Sequence, residues 1–167
     1  MSAAPEGVPL TLRTLPATRV HVMRGVAPGV DNASLIPVVG PLFDRLADRL
    51  IASGRWPTLP GVAWYVPDGD GEGEYEVHVS FAAVDAALGP VEDQDFTVVE
   101  LPAVDRAAIA VHRGHPHRLA DTWETLMAAV ARNGWVPCGP AREVYQSSIM
   151  VPFDQWVTEL QLPVVRG

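Results

Sequence analysis

Glu143 has the type and spacing to act on a ligand. It lies in Arg142-Glu143-Val144-Tyr145. If this run is a strand, Glu143 and Tyr145 share one face while Arg142 and Val144 share the other. A carboxylate beside aromatic rings attracts a bulky or planar cation, by charge and by the ring quadrupole. Held away from water, the same group can act as an acid or base. A plain strand glutamate, salt-bridged across the sheet, is the alternative.

Aromatic residues are the natural company for such an anchor. The chain has 5 tryptophans, and Trp64, Trp123, Trp135 and Trp156 fall in or beside expected elements, with Trp56 in a loop. Tyr65, Tyr145 and Phe153 add to them. Aromatics concentrated in a small sheet domain suit an apolar pocket with few polar groups. Core filling is the competing role for any one ring, above all for Trp123, which lies on an apolar helix stripe. Glu159, in Thr158-Glu159-Leu160, is a candidate second pocket carboxylate. Alternation groups it with Val157 and Gln161, which leaves its face ambiguous.

Other chemistries lack their residues. His112, His115 and His117 are interrupted by Gly114 and Pro116, and no familiar metal-ligand spacing completes them. Cys138 has no CxxC partner and reads as a buried structural thiol. Ser147 and Ser148 have no nucleophile-elbow context. Asp68-Gly69-Asp70-Gly71-Glu72-Gly73 is an acidic turn that repels phosphate, not a phosphate loop. No cofactor or metal is expected.

The elements that must position these residues fall into two similar halves, about 9–83 and 95–165. In the first, Leu10, Leu12 and Thr14, then Val20 and Val22, alternate as strands around a turn at Leu15-Pro16-Ala17. Leu35, Val39, Leu42, Leu46 and Leu50 mark one face of a helix ending near Ser53-Gly54. Pro41 is tolerable there if it falls in the first turn. Gly61 to Val66 is a short apolar strand, and Tyr75, Val77, Val79 and Phe81 alternate in a half-buried one. The second half repeats the order. Phe96 to Glu100 is a strand, Leu101-Pro102-Ala103 matches Leu15-Pro16-Ala17, and Ala107 to His112 is a strand. Leu119, Trp123, Leu126 and Val130 have helix spacing up to Asn133-Gly134. Gly139 to Tyr145 matches Gly61 to Tyr65, and Trp156 to Leu162 plays the part of the closing strand. Glu143 thereby takes the place that Ala63 holds in the sister strand. The acidic stretch from Ala82 to Asp95 connects the halves. Neither half buries its apolar surface well alone. The expected fold is α+β: a duplicated βαββ unit, a mostly antiparallel sheet, two long helices on one side and a cavity between the halves.

Composition sets the outer limits. The 167 residues, 48% hydrophobic, suffice for one domain with a core. The net charge is −8, without the basic face that nucleic acid requires. No run reaches the roughly 20 apolar residues of a membrane span. The start, MSAAPEGVP, does not read as a secretion signal. A cytoplasmic location follows as the default.

These landmarks resemble the GyrI-like small-molecule-binding domain, the effector-binding domain of multidrug-sensing bacterial transcription activators. LPATRVHVMRG, LPAVDRAAIAVHRG, NGW, GPAREVY and WVTELQLPV carry the resemblance, in that order. It implies a hydrophobic cavity at a pseudo-twofold, lined by aromatics, in which the glutamate of an E-x-Y signature meets cationic aromatic drugs. That glutamate corresponds to Glu143 and the tyrosine to Tyr145. The matching first-half rings are Trp64 and Tyr65, and Glu159 matches the closing-strand glutamate. Phe153 and Trp156 complete the expected ligand-binding set. About nine residues precede the first strand, too few for the DNA-binding motif of the family's regulators, so no direct nucleic-acid contact is expected. Binding of amphipathic, aromatic, cationic small molecules is the leading expectation. Hydrolysis of a reactive cyclopropane-type natural product, with Glu143 activating water, is the alternative, and a gyrase-binding inhibitor a third.

Overall fold

The computed structural model describes residues 10–68, 73–84, 95–147 and 150–167. The N-terminal MSAAPEGVP, most of the acidic turn, most of the connecting segment and Ser148 lie outside them. The strands are β1 (Thr11–Leu15), β2 (Thr18–Ala27), β3 (Thr58–Pro67), β4 (Tyr75–Ala82), β5 (Thr97–Leu101), β6 (Val104–Arg113), β7 (Trp135–Pro137), β8 (Arg142–Tyr145) and β9 (Val157–Arg166). Two helices join them, α1 (Asn32–Ala52) and α2 (Leu119–Arg132). All strand pairs are antiparallel, in the order β1-β6-β9-β8-β3-β4-β2-β5, with β7 also on β9. The fold is α+β, with one large antiparallel sheet and two packed helices.

The two Leu-Pro-Ala corners turn where expected: β1 gives way to β2, and β5 to β6, across them. Neither corner closes a paired hairpin, and the strands on its two sides pair elsewhere. β1 lies on β6 and β5 on β2, so each edge strand is supplied by the other part of the sequence. β7 is an addition that the sequence pattern does not show, because three residues are too few for an alternation.

Both helices cover the same face. Leu46 and Leu50 of α1 bury against Met23, Ala63, Val77, Val79 and Phe96. Leu119, Leu126 and Val130 of α2 bury against Ala108, Leu160 and Leu162. Ala63 pairs with Glu143, and Glu143 with Leu160, so the two clusters share one side of the sheet. The helices end as their glycines require, with φ of 79° at Gly54 and 77° at Gly134. Pro41 departs from expectation. Asp31 caps the helix, its carboxylate accepting from the Ser34 amide at 3.0 Å, so the helix starts at Asn32 and both Pro37 and Pro41 sit inside it. Each forfeits one helical hydrogen bond.

On the opposite face, Val20, Val22, Val62, Trp64, Leu101 and Val144 form a third cluster.

Candidate functional site

The middle of the sheet is the β3–β8 ladder, in which Gly61 faces Tyr145, Val62 faces Val144, Ala63 faces Glu143 and Trp64 faces Arg142. The helices pack mainly to either side of it, α1 on β2 and β4, α2 on β6 and β7. Glu143 therefore rises from the seam between them.

Three neutral donors converge on its carboxylate. The Tyr65 hydroxyl donates to Oε1 at 2.5 Å, and the Tyr145 hydroxyl to the same oxygen at 3.3 Å. The Trp123 indole N–H donates to Oε2 at 3.1 Å. Glu143 is only 6% exposed, yet no ion pair involving it forms among the described residues. Burial pushes the Tyr145 hydroxyl well above its ordinary value, and the Glu143 charge adds to this. Burial likewise raises Tyr65, with Tyr145 and then Glu143 contributing. Both phenols stay protonated at neutral pH and remain donors.

Rings surround this centre. Tyr145 meets Phe43 edge-on at 5.6 Å, and Phe43 meets Phe81 at 5.5 Å. Gly61 makes room for Phe43: a Cβ there would lie 3.1 Å from the ring. On the other side Tyr145 lies 6.2 Å from Trp156, which lies 4.8 Å from Phe153. Phe153 is half exposed and tilts against His115 at 4.9 Å. The indole N–H of Trp156 is spent on the Val151 carbonyl at 2.8 Å.

A family profile for the GyrI-like small molecule binding domain matches residues 9–165. The chain belongs to the GyrI-like family. Solved structures agree in fold with this GyrI-like domain. The C-terminal domain of EcmrR is 21% identical, with a TM-score of 0.70 over 95% of this chain and 98% of that one. SAV2435, solved bound to tetraphenylphosphonium, is 12% identical, with a TM-score of 0.63 over 95% of this chain and 94% of that one. A protein from Listeria innocua described as a hydrolase is 12% identical, with a TM-score of 0.58 over 97% and 94%. No protein among those with curated functions matches the chain.

The domain brings Glu143, Tyr65 and Tyr145 together and extends the cluster through Trp156 to Phe153. It does not bring Trp64 or Glu159 to them. Trp64 adjoins Tyr65 in one strand, so it must point to the other face. There it is buried and stacks on His78 at 5.0 Å. Glu159 pairs with Val144 across the ladder, which puts it on that same far face. Its carboxylate accepts from Arg13 at 2.7 Å and from Gln161 at 2.9 Å. Trp64 and Glu159 thus lie on the face opposite Glu143, each held by partners of its own there.

Two residues join that lie outside the expected ligand-binding set. Phe43 stands in α1 and gave no distinguishing signal. Trp123 did give one: a tryptophan on a buried stripe carries an N–H that needs an acceptor, and Glu143 is that acceptor.

Among the described residues, no group of three or more His, Cys, Asp or Glu is placed to hold a metal ion. Cys138, expected to be buried, is exposed just after β7. None of the helices there is long and apolar enough to cross a membrane.

Proposed function

We propose that this GyrI-like domain binds amphipathic aromatic cations over the β3–β8 seam. Glu143 is the anionic anchor, and Tyr65, Tyr145, Trp123, Trp156 and Phe153 are the surrounding rings. The reading rests on one observation, a buried carboxylate that has three neutral donors and, among the described residues, no cation. Burying an ionised group costs several kcal/mol unless it is compensated. Neutral donors satisfy its lone pairs but leave its net charge. A ligand cation supplies the missing charge, and the ring faces add quadrupole attraction. The tetraphenylphosphonium held by SAV2435 is a molecule of this kind.

The duplication supports the location. Exchanging β1, β2, β3 and β4 with their expected counterparts β5, β6, β8 and β9, in that order, reverses the strand order into itself. Ala63 and Glu143 are counterparts by sequence and direct partners in the ladder, so a pseudo-twofold axis would run between them. The cavity we propose lies on that axis, polar on the Glu143 side alone.

One observation favours a hydrolytic reading, the Listeria innocua relative described as a hydrolase. Its chemistry fits this site less well. A carboxylate offers about four lone-pair directions, and three are taken here, which leaves little room to activate water. We rank non-catalytic binding first.

Calorimetric titration with tetraphenylphosphonium tests the proposal. Glu143→Gln should weaken binding at least tenfold, about 1.4 kcal/mol. Affinity for the neutral triphenylphosphine oxide should change by less than about threefold on the same scale. Equal phosphonium affinity in both proteins would remove the charge argument.

A further inference from the structure

Thr158 is fully buried in β9, and among the described residues its hydroxyl has no hydrogen-bond partner. A buried hydroxyl left unpaired carries an uncompensated desolvation cost, and such groups are uncommon enough in native proteins to need a reason.

Its position gives one. Thr158 pairs with Tyr145 on one side and with His112 on the other, so it lies on the Glu143 face, in the row that carries Tyr145. Every polar neighbour in that row is already engaged. The Tyr145 hydroxyl donates to Glu143. The two His112 nitrogens contact the Thr122 hydroxyl at 2.7 Å and the His115 carbonyl at 3.0 Å. Nothing among the described residues satisfies Thr158, and an apolar residue of the same shape would fit the position without the penalty. Glu143 pairs with Leu160, two residues along β9. Thr158 and Glu143 are therefore diagonal neighbours on one face, with Cβ atoms roughly 7–8 Å apart.

We propose that Thr158 is a second polar contact for the ligand. The site takes aromatic cations that also carry a hydrogen-bonding heteroatom on a ring arm, about one ring's reach from the cationic centre. Glu143 holds the charge, and the Thr158 hydroxyl pairs with the heteroatom and selects among cations. This inference rests on the cation-binding reading of the same site.

The test compares tetraphenylphosphonium, which has no hydrogen-bonding atom, with its (4-carbamoylphenyl)triphenylphosphonium analogue, on wild type, Thr158→Val and Thr158→Ser. Thr158→Val should bind the carbamoyl compound about tenfold more weakly and tetraphenylphosphonium within twofold of wild type. It should also melt higher without ligand, since the unpaired hydroxyl is gone. Thr158→Ser keeps the hydroxyl and should retain the wild-type ratio of the two affinities. The proposal is overturned if Thr158→Val binds both compounds as wild type does, or loses both equally, or if Thr158→Ser behaves as Thr158→Val does. Failure of wild type to bind either cation would instead overturn the cation-binding reading, and this inference with it.

Discussion

Glu143 and Glu159 stand on adjacent strands, are 6% and 7% exposed, and point to opposite faces. Their surroundings differ in one respect. Glu159 has a cation, Arg13, and a further donor in Gln161. Among the described residues Glu143 has donors only, all of them neutral and all on aromatic side chains. Hydrogen bonding is satisfied in both places, but charge is balanced in one. A carboxylate whose charge is met inside the fold holds strands together. One whose charge is not met leaves an attraction for something outside it.

The sharpest way to break this contrast is to crowd Glu143 with its own kind. Ala63→Glu sets a second carboxylate directly across the ladder, where side chains are roughly 5 Å apart. It should cost at least about 3 kcal/mol of stability at neutral pH. One of the two would then hold a proton in the folded state that the unfolded chain releases. The folded form would bind more protons, so the deficit should shrink as pH falls. Urea unfolding at pH 5 and pH 8 measures this, and a deficit that does not change with pH would mean the carboxylates are not neighbours.

A smaller effect belongs to the donors. Tyr65 and Tyr145 keep their protons well above the ordinary tyrosine value of about 10, while the unfolded chain loses them there. The folded state then binds more protons, so their contribution is complete below about pH 10 and is lost as pH rises beyond it. The slope approaches about 1.4 kcal/mol per pH unit for each tyrosine. Tyr65→Phe should remove one share of that slope. Unfolding free energies at pH 9, 10 and 11 would show it, and an unchanged slope would contradict the geometry.

The smallest effect is expected on the far face. Arg13→Ala leaves Glu159 without its cation, but the Arg13 side chain is 49% exposed, so screening limits the loss to about 1 kcal/mol. Phosphonium affinity should stay within about twofold. A tenfold fall, about 1.4 kcal/mol, would return Glu159 to the ligand site.

Much of the fold was legible in the sequence because its signals are local. The Leu46–Leu50 stripe, the glycines after each helix and the Leu-Pro-Ala corners each act within a few residues. Alternation alone put Glu143 and Tyr145 on one face. Applied with the same rigour, it places Trp64 opposite Tyr65, so its face was within reach of the sequence. The position of Pro41 was harder to read, because the Asp31 cap that sets the helix start competes with a proline signal ten residues on.

The sequence by itself determined that a carboxylate and a tyrosine share a strand face. Tertiary structure decided which groups surround Glu143 and which meet Glu159. Tyr65, Trp123 and Phe43 reach the site from β3, α2 and α1, and Arg13 reaches Glu159 from β1. Alternation fixes a side chain's direction over two residues. The cross-strand pairing that decides whether a buried charge finds its opposite spans most of the chain, and no local pattern encodes it.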